Sequence, residues 1–527
     1  MALISWIIIG VLLINVSDPI FACTTLIVGK KATLDGKTII ARSSDAIDSR
    51  RAKNFKIYYK GRQKIYVGLP YWDLETDEKN DMAQVATNAR GLSISATETI
   101  QSNAKVLALD PSSNSVGVTE RNIPYLVMPS AKSAREAIDI LGKAIEVRGL
   151  KWKKGFGVLF ADQNEAWYLE TLSGHQWVAL KIPDDVYFVA ANGPGQIQAY
   201  SPALYEYKLS NYMGKTPIEF AIENNIAKLT INREFDFRKT FADVDNPRNP
   251  RKNFVRLAYL QHYFNSNTQF FNINVINKGD FPSFLKPEKK ISLLDVQKVF
   301  ASHYHEFKDF DPYQHPNKDE KQRPYYYPIA NLNTSNVHIT TVGPPFLNDD
   351  NNLANLQYIA LGMPTLSFYL PLYYGLSKIP KSLVAATNLA DLENEKLFWQ
   401  FRRLQVLVFL SDLKKNIPFN PFKRMKIIQK NYELLALEIE KDRLIMETNY
   451  LKNPSSLLID RFTAKTTAKL SYLNRKLIDE FMKQLAIVAK YKLHEKQELA
   501  QWFTAKTREQ ECNYKPERCR NKPKVNT

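Results

Sequence analysis

Four apolar and aromatic runs follow one another between residues 156 and 192, separated by only two or three residues: FGVLFAD (156–162), EAWYLETL (165–172), HQWVALKI (175–182) and VYFVAAN (186–192). Links this short can join antiparallel strands but cannot carry the crossover that parallel strands require. The stretch therefore predicts an antiparallel meander. TTLIVG (24–29) and TIIAR (38–42) predict a hairpin around the turn pair Asp35-Gly36, and GLSISAT (91–97) a further strand. SAREAIDILGKAIEVRG (133–149) has helical spacing: Ser133 and Glu136 suit a capping box, Ile138, Leu141 and Ile145 share a face, and Gly149 stops it. Antiparallel sheets with helices packed outside make the chain α+β.

Residues 240–350 are rich in Asn, Pro and aromatics and read as loops with short helices. Residues 351–377 carry no charge, and Pro364 and Pro371 argue for a buried segment with turns over a membrane helix. Helical runs follow near 396–413, 424–450 and 465–505. Residues 401–527 hold 27 Lys and Arg against 14 Asp and Glu, which accounts for most of the +18 net charge. These bases alternate with acids and apolar residues at helical spacing, as on a solvated helix face, and no nucleic-acid signature accompanies them.

The apolar run LISWIIIGVLLINV (3–16) has the length of a signal-peptide core and is too short to span a bilayer. Ala22 is small enough to precede a cut, which makes residues 1–22 a signal segment and Cys23 the first mature residue. No Lys or Arg precedes the run, and IFAC (20–23) also fits a lipoprotein box, in which lipidation would consume the thiol. The other cysteines, Cys512 and Cys519, suit a small disulfide loop in an oxidising compartment, which leaves Cys23 as the odd thiol.

A chain that begins with cysteine carries a nucleophile and a base on one residue. The α-amine, with a pKa near ~7.7–8.0, can take the thiol proton and return it to a leaving amine. ARSSD (41–45) offers Arg42 as a cation for the thiol and Asp45 as a carboxylate for the amine. An ideal two-residue turn would instead set Asp48 opposite Cys23, so spacing leaves the carboxylate open. His175 reads as a structural histidine on a strand, and His303 and His305 as surface residues rather than metal ligands.

CTTLIVGKKATLDGKTIIARSSD (23–45) resembles the N-terminal signature of the dipeptidase A family of cysteine peptidases, within the N-terminal nucleophile hydrolases. The resemblance continues through TNARGLSISATETI (87–100), RNIPYLVMPSAKSAREAIDIL (121–141), ADQNEAWYLETLSGHQWVALKIPDD (161–185), FVAANGPGQ (188–196), SNVHITTV (335–342) and LQYIALGMPTLSFYLPLYYG (356–375). It implies a four-layer αββα sandwich over residues 23–400. A helical extension (401–510) and a basic tail (511–527) would follow. It implies peptide hydrolysis without metal or cofactor, with Cys23 as nucleophile and Arg42 and Asp45 beside it. Asn192 would be an oxyanion donor and Arg256 a second active-site arginine. Glu98 falls where related acylases carry Asn, and would bind the substrate's free amine. The expected protein is an exported, periplasmic or extracellular dipeptidase acting on short peptides, with no integral membrane segment after processing and no nucleic-acid partner; homo-oligomerisation stays open. Two alternatives remain: an N-acyl amide hydrolase of the same mechanism, and a non-catalytic lipid-anchored surface protein.

Overall fold

The computed structural model describes residues 22–45, 55–60, 63–70, 83–113, 117–151, 155–269, 271–307, 310, 326–344, 350–384, 396–409 and 421–489. Residues 1–21, Asp48, Cys512 and Cys519, with the expectations placed on them, lie outside the described residues.

The described strands are β1 (Ala22–Val28), β2 (Thr38–Asp45), β3 (Lys56–Lys60), β4 (Gln63–Pro70), β5 (Ala83–Asn88), β6 (Ser93–Ile100), β7 (Gly155–Ala161), β8 (Ala166–Thr171), β9 (Trp177–Ile182), β10 (Tyr187–Ala191), β11 (Tyr207–Leu209), β12 (Phe284–Leu285), β13 (Thr334–Val342), β14 (Asn355–Leu361) and β15 (Leu370–Tyr373). They form two antiparallel sheets, ordered β12-β10-β1-β2-β13-β14-β15 and β11-β9-β8-β7-β6-β5-β4-β3. The meander predicted over 156–192 is present as β7 to β9, with β10 crossing to the other sheet.

Alternation along the strands sorts their side chains between two cores. Leu26, Val28, Ile39, Ala41, Val337 and Ile339 face outward, against the helices Val255–Phe264 and Leu293–Phe300. Ile27, Ile40, Phe188 and Ala190 face inward and meet Leu159, Tyr168, Val178 and Leu180 of the second sheet. The outer face of that sheet, with Ile94, Phe160 and Trp167, is covered by the helix Ala134–Arg148 through Ala137, Ile138, Leu141 and Ile145. The layers run helix, sheet, sheet, helix: an α+β sandwich of the N-terminal nucleophile hydrolase type.

The predicted helix starts and stops as expected, with one change. Ser133 Oγ accepts from Glu136 N at 3.2 Å, but the Glu136 carboxylate accepts from Lys132 N at 2.9 Å instead of closing the box on Ser133. Gly149 ends the helix at φ +68°.

Two expectations need correction. The 23–45 hairpin is not closed by a two-residue turn. Val28 pairs with Ile39, and Cys23 faces Ser44 rather than Asp48. The intervening loop forms its own bonds: Gly29 N to Val186 O at 2.9 Å, Lys31 N to Asp184 O at 2.8 Å and Leu34 N to Ile291 O at 3.0 Å. The slip is four residues, an even number, so every side chain keeps its face. The 240–350 region is also more regular than expected. It contains the ten-residue helix Val255–Phe264 and the nine-residue strand β13, which lies between β2 and β14.

The uncharged 351–377 stretch is β14 and β15 with a short 3-10 turn at Pro364–Leu366, nearly all of it buried. The helices Leu397–Phe409, Pro421–Lys452 and Ser456–Ala489 contribute Leu404, Ile428, Ile459, Phe462 and Phe481 to the same core as the first sheet. Tyr373 of β15 donates to Glu447 at 2.5 Å, and Arg443 holds that carboxylate from one turn away.

Candidate active site

Cys23 stands at the start of β1, an interior strand flanked by β10 and β2. Alternation puts it on the inward face with Thr25 and Ile27, and it is 3 % exposed. Its main chain is held from both ends. Cys23 N donates to Asn192 Oδ1 at 2.6 Å, and Cys23 O accepts from Arg256 Nη1 at 2.7 Å.

Arg256 is a fully buried clamp. Nη1 also reaches Thr24 Oγ1 at 3.0 Å, Nη2 reaches Asn192 Oδ1 and Asn253 Oδ1, both at 2.9 Å, and Nε reaches Lys252 O at 2.7 Å. The helix turn before it, Pro250–Phe254, is a π-helical segment, a feature often found at functional sites. Gly193 permits that segment to come close. It sits at φ +101°, and a Cβ there would lie 2.4 Å from Asn253 Nδ2 and 2.5 Å from Asn249 Oδ1. Asn192 is thus fixed by its own turn and by Arg256. The contact seen at Cys23 uses its carbonyl oxygen, an acceptor, rather than the donor amide expected at an oxyanion.

Arg42 and Asp45, three residues apart on β2, lie on opposite faces of the strand. Arg42 points inward with Ile40, on the face that also carries the Cys23 side chain, and is fully buried. Its Nη1 donates to Ala96 O and to Glu120 Oε1, the latter at 2.9 Å. Among the described residues its Nε and Nη2 have no hydrogen-bond partner. Asp45 opposes Ala22 in the ladder and accepts from Asn331 Nδ2 at 3.2 Å. Burial pushes Asp45 up to about 6, against hydrogen bonds from Thr334, Asn331 and Tyr327 and the charge of Arg256. Burial also pushes the Cys23 thiol up. Arg42 and the Thr97 hydroxyl oppose this, and Glu120 and Asp45 add to it.

Of the residues expected at the site, Cys23, Arg42, Asp45, Asn192 and Arg256 are brought together. Glu98 falls on β6, but its side chain lies outside the described residues. Two neighbours escaped sequence reasoning: Glu120, and His338, which pairs with Arg42 across β13 and β2. SNVHITTV carried the family resemblance, yet nothing in it marked His338. Burial and then Arg42 hold its imidazole far below the usual range, so it is neutral.

The other histidines considered from the sequence lie elsewhere. His175 lies in the turn between β8 and β9 rather than on a strand; its Nδ1 is 2.7 Å from Asp110 Oδ1, and its ring stacks on Tyr212. His305 is exposed, but His303 is buried, contrary to the surface reading. Among the described residues no group of three or more His, Cys, Asp or Glu is gathered as a metal-ligand set, and no helix is long and apolar enough to cross a membrane.

Comparison with known proteins places this architecture. The sequence model of Peptidase family C69 matches residues 22–412, and the chain belongs to that family. Similar curated relatives include a "Probable dipeptidase" of Salmonella dublin, 37% identical over 377 residues (68% of this chain, 82% of the relative). A "Probable dipeptidase" of Latilactobacillus sakei is 30% identical over 406 residues (73% and 81%). A "Probable dipeptidase B" of Lactococcus lactis subsp. lactis is 29% identical over 447 residues (78% and 88%).

Proposed function

We propose that this peptidase is an exported dipeptidase whose nucleophile is Cys23, exposed as the first residue by cleavage after Ala22. The observation that carries the reading is the two-sided grip on one residue: Asn192 on the nitrogen of Cys23 and Arg256 on its carbonyl oxygen, with the Cys23 side chain on the same inward face as Arg42. The dipeptidase names of the relatives supply the substrate class.

Once Cys23 is terminal, its nitrogen is an amine that Asn192 and the nearby Asp45 carboxylate hold and orient. The neutral amine takes the thiol proton, and the sulfur attacks the peptide carbonyl with Arg42 beside the developing thiolate. The amine then passes that proton to the departing nitrogen as the C–N bond breaks. Water hydrolyses the resulting thioester, giving a carboxylic acid and restoring the thiol. Amide donors such as Asn192 Nδ2 would serve the oxyanion, and Glu98 would receive the substrate's ammonium group. Residues 512 and 519 would form the disulfide of the exported tail.

The test is Cys23→Ala in correctly processed protein. Hydrolysis of a panel of dipeptides should fall by about a thousandfold or more, while the thermal transition stays in place. Near-normal turnover would remove Cys23 as nucleophile. Full activity in a chain shown by mass spectrometry to retain Ala22 would remove the amine as base.

A further inference from the structure

Glu120 lies just ahead of the helix Ile123–Val127 and belongs to neither sheet, yet its carboxylate reaches Arg42 between them at 2.9 Å. Both side chains are almost completely buried, at 0% and 5% exposure. A lone buried guanidinium beside a thiol would stabilise the thiolate strongly. Paired with a carboxylate it is half of a dipole, and much of its pull on the sulfur is cancelled.

Among the described residues, and apart from the terminal amine of Cys23 itself, this pair is the charged group on the thiol's inward side. β2 contributes Arg42 on that face and Asp45 on the reverse one. β6 contributes the Thr97 hydroxyl. β13 contributes His338, which is buried and uncharged, and the helix Val255–Phe264 contributes Arg256, whose donors are spent on Cys23 O, Thr24, Asn192, Asn253 and Lys252.

We propose that Glu120 is a positioning residue of the site: it aims Arg42 at the Cys23 side chain and, by cancelling the guanidinium charge, keeps the thiol of the free enzyme protonated at neutral pH. This rests on the reading of Cys23 as nucleophile. It also suits that chemistry, because an amine can act as base only on a thiol that still has its proton. Burial of Cys23 and the carboxylates of Glu120 and Asp45 all act in this direction.

Iodoacetamide labelling of Cys23 across about pH 5–10, followed on the Cys23 peptide by mass spectrometry, reads the thiol directly. The wild-type midpoint should lie at or above the ~8.5 of an ordinary cysteine. Glu120→Gln keeps an oxygen for Arg42 and drops the charge, so its midpoint should fall by about one pH unit or more, and the alkaline limb of kcat/KM, where the thiol loses the proton that the amine must take, should move with it. Glu120→Asp keeps the charge and should stay within a few tenths of wild type. A purely structural Glu120 would lower the folded fraction without moving the midpoint. An unmoved or raised midpoint in Glu120→Gln overturns the proposal, as does a wild-type midpoint below about 7, which requires no variant to fold. Hydrolysis surviving in Cys23→Ala would instead overturn the nucleophile assignment, and the labelling midpoint would still report on Glu120.

Discussion

The space between the two sheets has two halves made of opposite chemistry. Where β1 and β10 face β7, β8 and β9, the filling is Ile27, Phe188, Ala190, Leu159, Tyr168, Val178 and Leu180. Where β2, β13 and β14 face β5 and β6, it is Arg42, His338, Thr340, Gln357, Thr87, Ser93 and Ser95, all buried. The first half holds the sheets together by excluding water. The second holds them by hydrogen bonds: Gln357 Nε2 to Thr87 Oγ1 at 2.6 Å, and Asn355 Nδ2 to Gly91 O at 2.6 Å and Ser93 Oγ at 3.0 Å. Above that clamp, Ser95 Oγ, Thr340 Oγ1, both His338 nitrogens and two Arg42 nitrogens have no partner among the described residues. Cys23 stands on the boundary, with an apolar neighbour strand on one side and Arg42 on the other. The contrast implies that stability is concentrated in one half and chemistry in the other.

The strongest challenge to that division is Phe188→Ala. Phe188 is fully buried and packs against Tyr168 with ring centroids 4.5 Å apart. Its truncation should cost about 3–5 kcal/mol in urea unfolding, with activity per folded molecule preserved. A variant that keeps its stability and loses turnover would invert the comparison.

Asp45→Asn comes next, from the reverse face of β2. The folded carboxyl is raised to about 6 against an unfolded value near 3.8. Stability is therefore whole below about pH 4 and falls as the pH rises to about 6, because the folded state resists losing that proton. The asparagine variant escapes this loss and should be more stable by about 3 kcal/mol above pH 6, while losing hydrolytic activity. Melting curves at pH 4 and pH 8 check the sign: the advantage must appear only at the higher pH.

Asn355→Ala should have the smallest effect, about 1–3 kcal/mol, from leaving Gly91 O without its bond in the polar half. If urea titration gives a cost above that of Phe188→Ala, the polar half is the main fastening and the division proposed here is wrong.

Much of this architecture was legible from local pattern. The meander over 156–192, the helix ending at Gly149 and the buried segment around Pro364 and Pro371 each depend on neighbours in sequence. Arg42 and Asp45 were visible because they share a hairpin with Cys23, although their opposite faces follow only from counting three residues along a strand. The register against Cys23 was not legible, since the 29–37 loop takes its partners from residues 184, 186 and 291. Glu120 and His338 were missed for the same reason. Their meaning comes from Arg42, which is far from both in sequence and marks neither with a local motif.

The grip on Cys23 also has a consequence in time. Cys23 belongs to the first of the described strands, but Asn192 lies 169 residues later and Arg256 lies 233 residues later. A ribosome must therefore deliver about half of the polypeptide before the nitrogen and the carbonyl oxygen of Cys23 meet the groups that hold them. A nascent chain carries the thiol without its surroundings in the folded protein, so sequence separation itself delays assembly of the candidate site until about half of the chain has been built.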